Sequence, residues 1–123
     1  MYPRFITKKI HAFIDYPVAF ALIALPFLLG LGSSNPAALW LSVGTGMAAL
    51  VLTLFTDHQL GVFRVLSYGF HRSVDFLVGI TFLLAPVFLG FSGLDAWYYW
   101  ANGAAVVSVV SLHKPDLQPV RLG

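Results

Sequence analysis

The chain has 123 residues, of which 59% are hydrophobic and 10% charged, with a formal net charge of +2 and a mean hydropathy of +0.83. Soluble domains carry about 25% charged residues, and a chain this short cannot hide so much apolar surface in a core of its own, so composition argues for a membrane protein. With no cysteine, disulfides, zinc–thiolate sites and thiol redox chemistry are excluded together.

The N-terminal stretch MYPRFITKK carries Arg4, Lys8 and Lys9 and is not followed by a short apolar segment with a small-residue cleavage site, so no cleavable signal is expected. From Tyr16 to Thr56 there is no Asp, Glu, Lys or Arg. A helix crosses a bilayer with about 20 apolar residues, which gives two spans here, near 17–32 and 36–56. Pro17 reads as a helix start, and Pro26 sits mid-helix, where its missing N–H should kink the span. Asn35 followed by Pro36 reads as the N-cap and first-turn pair of the second span. The segment LGVFRVLSYGF (60–70) is amphipathic and is expected along the membrane surface. A second apolar run from Phe76 to Leu112, interrupted only by Asp95, gives spans near 75–91 and 96–113, with Pro86 as the second kink and Asp95 before the last span. Continuous apolar runs favour helices over the alternating, roughly ten-residue strands of a membrane barrel.

Small residues four apart, Ser42 and Gly46, Gly44 and Ala48, Ala101 and Ala105, are expected to let helices approach closely. Trp40, Trp97, Tyr98, Tyr99 and Trp100 are expected as an interfacial aromatic belt. Phe76, Phe82, Phe88 and Phe91 read as lipid-facing or packing residues. All cations fall on one side of this topology: Arg4, Lys8 and Lys9, then Arg64 and Arg72, then Lys114 and Arg121. The opposite loops, LGSSN and FSGLD, have none. The positive-inside tendency makes that side cytoplasmic, with both termini in the cytoplasm and the chain integral to the cytoplasmic (inner) membrane. The pI near 9.2 then reflects orientation, and nucleic acid is not an expected partner.

The chain also repeats itself at an offset of sixty. Arg4 matches Arg64, Thr7 Ser67, His11 His71, Asp15 Asp75, Val18 Val78, Pro26 Pro86 and Trp40 Trp100. The expected architecture is all-α, a polytopic four-helix membrane bundle built from two tandem parallel helical-hairpin repeats, residues 1–60 and 61–123, that together form one domain.

Thr7, His11 and Asp15 are spaced by four and share one helix face, and Ser67, His71 and Asp75 repeat the stripe. A carboxylate at the bilayer centre costs about 2.5–3.5 kcal/mol on insertion scales and less near the edge. In a structural role, Asp15 and Asp75 accept hydrogen bonds from a histidine or arginine of the other half and lock the hairpins in register. In a functional role, His11, Asp15, His71 and Asp75 converge on a divalent metal such as zinc or iron, or pass protons. His58 and His113 lie near cytoplasmic helix ends and do not align with each other. No Ser–His–Asp triad, phosphate-cradling loop or hydrolytic carboxylate pair stands out, and enzymatic chemistry is disfavoured.

The pattern RFITKKIHAFIDY, PFLLG, LFTDHQLG and RVLSYGFHRSVDF with APVFLG resembles the SPW-repeat family of small bacterial membrane proteins. In that family each half carries Ser-Pro-Trp in its first span, in a setting that resembles His-x-x-x-Asp, Pro, Gly and a TD-x-x-LG hairpin end. Pro26 and Pro86 fit the proline, while Leu25-Pro26-Phe27 and Ala85-Pro86-Val87 lack both the serine and the tryptophan. A tyrosine is expected where His58 stands. The resemblance implies a duplicated four-span membrane fold and brings no activity or cofactor with it. The expected role is a structural or partner-binding membrane module, in contact with lipid and with a second copy or another membrane protein; transport would demand an oligomer. The alternative is the metal- or proton-handling site.

Overall fold

The computed structural model describes residues 8–56 and 67–112, which form four helices: α1 (Lys8–Leu28), α2 (Ala37–Phe55), α3 (Tyr68–Leu89) and α4 (Gly93–Ser111). The chain is all-helical as expected, but its helices overrun the expected spans. α1 begins well before residue 17 and carries Pro17 inside it, and α3 begins at Tyr68 rather than 75. The apolar run measures the lipid-facing length, whereas a helix continues into polar surroundings until a cap stops it. Ser67 is that cap for α3: its hydroxyl accepts the Phe70 N–H at 3.1 Å, so it does not continue the His71–Asp75 stripe. Residues 60–66 of the expected surface helix lie outside the described residues, and 68–70 are the first turn of α3.

Among the described residues, Ala37–Phe55 and Gly69–Leu89 are long and apolar enough to cross a membrane. At 1.5 Å per residue such helices measure about 30 Å, the thickness of a hydrocarbon core. α1 has a shorter apolar part, Phe13–Leu28, and α4 is diluted by Asp95, two buried tyrosines and Asn102.

The two loop-side turns are built alike. Leu31 N–H reaches back to Pro26 O at 2.9 Å and Phe91 N–H to Pro86 O at 3.0 Å, each across a glycine in the left-handed region, Gly30 at φ 65° and Gly90 at φ 68°. These are Schellman closures with a buried apolar residue after the glycine, Leu31 in one and Phe91 in the other. Both prolines thus lie in the last turn that the glycine closes.

α1 packs along α2 and α3 along α4, with lighter contact between α2 and α3. Each close crossing rests on glycine: Gly46 between α1 and α2, and Gly79 with Gly103 between α3 and α4. A Cβ on Gly46 would stand 2.8 Å from Ala19 O, and one on Gly103 would stand 2.8 Å from Gly79 O. Ala19 and Gly79 are sixty apart, but Gly46 and Gly103 are fifty-seven apart, because the loop before α4 is shorter than the loop before α2. In this register Trp40 corresponds to Trp97 rather than to Trp100. Of the small-residue pairs read from sequence, Ser42 and Gly46 are buried, whereas Gly44, Ala48, Ala101 and Ala105 are exposed. The shorter loop is the reason that a constant offset fails in the second helices.

The core sits toward the loop end. Tyr99 is fully buried, with Phe82 and Phe91 stacked on it at 4.5 and 4.8 Å, and its hydroxyl donates to Ala38 O at 2.7 Å. The aromatic belt is therefore smaller than expected: Trp40, Trp97 and Trp100 are exposed, while Tyr98 and Tyr99 point inward. Likewise Phe76 and Phe88 face outward, and Phe82 and Phe91 inward.

Candidate functional site

At the end of the molecule away from those turns, three elements converge. Ser67 starts α3 so that His71 falls in its first turn and Asp75 one turn on, on the same face. Asp15 comes from α1, and Thr56 from the C-terminal cap of α2. His71 is 1% exposed, and its Nε2 lies 3.2 Å from Asp15 Oδ2 and 3.2 Å from Asp75 Oδ2. Its Nδ1 lies 2.7 Å from Thr56 Oγ1, and that hydroxyl donates to Leu52 O at 2.5 Å.

This chain of bonds fixes the imidazole. A threonine has one hydroxyl proton and a backbone carbonyl can only accept. Because the Thr56 proton goes to Leu52 O, Nδ1 must carry a hydrogen and donate it to Thr56. In a neutral ring Nε2 is then a bare lone pair facing two carboxylate oxygens, three electron-rich atoms together. A positive centre, either a proton or a metal cation, has to lie among them.

Between the cluster and the core, side chains from all four helices line an open-sided cavity of about 520 Å³. Its walls are aliphatic, Val18, Leu22, Val78 and Val106 among them, and Asp15, His71 and Asp75 close one end. Thr45, Thr53 and Asn102 add scattered polarity, although Thr53 and Asn102 already bond to Ala49 O and Tyr98 O of their own helices. A mostly apolar cavity with a few polar groups, its ionisable ones together at one end, has the usual form of a small-molecule site.

The opposite end is fastened by Asp95. Its carboxylate accepts from Gly32 N–H at 2.9 Å, Ser34 N–H at 3.0 Å and the Ser34 hydroxyl at 2.5 Å. Burial pushes this carboxyl up, but the Ser34 hydroxyl and the N–H groups of Gly32, Ser34 and Asn35 together hold it below the ordinary carboxylate value. Asn35 also caps as expected, accepting Ala37 N–H at 3.0 Å, and its amide donates to Leu89 O at 2.8 Å. Asp95 was expected as a plain helix start; it joins the α4 end to the α1–α2 loop instead.

Of the four site residues read from sequence, Asp15, His71 and Asp75 are brought together, and ligand atoms from these three lie within 4.8 Å of one another. The side chain of His11 lies outside those described, as do Arg4, Arg64, His58 and His113. Thr56 was missed as a site residue: it lies fifteen positions from His71, and the sequence marks it only as the first residue of the TD-x-x-LG hairpin end.

No family model matches the chain, and no solved structure matches it. Multidrug resistance protein Mmr of Mycobacterium tuberculosis (strain H37Rv) is 36% identical over 56 residues, which is 46% of this chain and 52% of that protein. The Mmr protein of Mycobacterium bovis has the same identity and extent, and that of Mycolicibacterium paratuberculosis is 32% identical over 56 residues. The chain spans about half the length of the curated relatives it matches. This likeness and the two long apolar helices agree in making it a membrane protein.

Proposed function

We propose that this is a membrane binding module that takes one small amphipathic molecule into the cavity between its helices, with a cationic end at Asp15 and Asp75. The observation that carries this reading is the chamber of about 520 Å³ whose apolar walls end on a carboxylate–imidazole–carboxylate cluster. Aliphatic walls favour a lipophilic body, and two carboxylates around one imidazole favour positive charge over negative. The likeness to proteins named for multidrug resistance supports small molecules as the class of ligand. The proposal includes an architecture of two tandem helical hairpins in a four-helix bundle, akin to the SPW-repeat family. It also includes residence in the cytoplasmic membrane with both termini inside, and self-association within the bilayer. The matched Schellman turns and glycine crossings support the repeat, and the one-sided cations support the orientation. The cluster has a structural part as well: it ties α1 to α3 and to the end of α2.

The test is binding of a fluorescent lipophilic monocation to the full chain in detergent micelles. Saturable binding of one molecule per chain is expected, weakened at least tenfold in Asp15→Asn and in Asp75→Asn and unchanged in Ser33→Ala on the far loop. Partition into micelles without saturation, or affinity indifferent to both aspartates, contradicts the proposal.

A further inference from the structure

We infer that Asp15, His71 and Asp75 form a divalent metal site, with Thr56 as the residue that orients the imidazole. The inference rests on the reading of this end of the cavity as a cation site and goes further: when no amphipathic cation is bound, the same two carboxylates hold a divalent ion, and the two cations compete for them.

Two features favour a metal ion over a proton. The first is distance. A charge-assisted N–H···O bond closes to about 2.7–2.9 Å, whereas Nε2 stands 3.2 Å from both oxygens, equally far from each. One N–H aimed between two acceptors makes two poor bonds. Ligands about 2.0–2.1 Å from a tetrahedral ion are separated by about 3.3 Å, close to the two edges that meet at Nε2; the ligand atoms as a set lie within 4.8 Å of one another, so the carboxylates draw in as the ion binds. The second feature is the tautomer. Imidazoles that bind metals commonly donate their remote N–H to an oxygen, which fixes the ring and raises the basicity of the ligating nitrogen. Nδ1–H to Thr56 Oγ1 at 2.7 Å is such a bond, and the threonine is itself held by Leu52 O at 2.5 Å. That support comes from α2, outside the three ligating residues, and buries the ring with Nε2 aimed at the carboxylates.

The donor set is one borderline nitrogen and two hard oxygens, with no thiolate anywhere in the chain. This suits a first-row divalent ion such as zinc or iron. Two carboxylates match the charge of a divalent ion, which lowers the cost of keeping them beside apolar walls.

The experiment uses the full chain purified in detergent and titrated with Zn²⁺, with Co²⁺ as the optical probe. One ion per chain is expected, with d–d absorption from Co²⁺ that Zn²⁺ abolishes. Asp15→Asn and Asp75→Asn should each weaken binding at least tenfold. Thr56→Val should weaken it about 10–100-fold, as outer-shell substitutions do, and Thr56→Ser should restore it. X-ray absorption on the zinc-loaded wild type needs no variant: a shell that contains imidazole and carboxylate oxygens is expected. A wild type that takes up no stoichiometric Zn²⁺ or Co²⁺, a shell without carboxylate, or affinity equal in both aspartate variants and wild type overturns the inference. If metal binding fails while the lipophilic monocation still binds in an aspartate-dependent way, only this inference falls; if both fail, the cation site falls with it.

Discussion

Pro26 removes an N–H that would have bonded Leu22 O one turn back, and the chain repairs the loss with Ser42, whose hydroxyl donates to that carbonyl at 2.8 Å. With its proton committed, Ser42 Oγ accepts from Tyr98 of α4 at 2.6 Å, so a tyrosine of α4 completes the repair of a proline in α1. In lipid such repairs are what make a proline tolerable inside a helix. Ser42→Ala strands a carbonyl and a phenol together, at about 1–3 kcal/mol for each group left unsatisfied, and should lower the thermal midpoint in detergent; Tyr98→Phe in the same background should recover part of the loss. Asp95 predicts a pH dependence. Its carboxyl is held below its ordinary value, so the unfolded chain binds the proton more readily than the folded one. Its contribution is then fully present above the unfolded pKa of about 3.9 and is lost as pH falls through the lower folded value. Thermal melts of wild type against Asp95→Asn should differ at neutral pH and converge under strong acid. Equal melts at neutral pH would contradict the role given to this carboxylate.

Among the elements, the glycines separate close crossings from coincidental spacing. Gly46→Ala and Gly103→Ala each place a methyl 2.8 Å from a backbone oxygen of the facing helix, which cannot yield as a side-chain tip can. Overpacking of this kind costs about 1–3 kcal/mol. Gly44→Ala meets nothing within 4 Å and gains helix propensity of up to about 1 kcal/mol. Midpoints should therefore fall for the first two variants and hold or rise for the third; a loss for Gly44→Ala equal to that for Gly46→Ala would refute this packing. The small-residue pattern alone could not rank these positions, because Ser42/Gly46 and Gly44/Ala48 have the same spacing and only the facing helix distinguishes them. The helical hairpins themselves were legible, since long charge-free runs and the Asn35–Pro36 pair leave few alternatives. Their ends away from the short loops were not, because a helix outlasts its apolar stretch and stops at a cap such as Ser67. The aromatic run of α4 misled for a related reason: Trp97, Tyr98, Tyr99 and Trp100 span one turn, so two point out and two point in.

For the molecule as a whole, polar clusters fasten both ends and leave the middle apolar. Asp95 joins α4 to the α1–α2 loop at one end, and His71 joins α1, α2 and α3 at the other. Between them lie the aromatic core and then the cavity. The duplicated His-x-x-x-Asp motif signalled this second cluster, and Asp15, His71 and Asp75 do meet. What the sequence could not express was the chemistry of the meeting: the tautomer depends on Thr56, which the TD-x-x-LG pattern marks only as a hairpin end. Orientation is open to a simple check, because the chain has no native cysteine. Ser33→Cys on the loop should react with an impermeant maleimide added outside intact cells; reaction only after lysis would reverse the topology. The central claim is that acids from two hairpins converge on one imidazole. Solid-state NMR on protein in lipid bilayers, with dipolar couplings measured from His71 Nε2 to the aspartate carboxyl carbons, tests it most directly. Short-range couplings to both Asp15 and Asp75 are the predicted result. A coupling to Asp75 alone, its neighbour on α3, with none to Asp15, would contradict it.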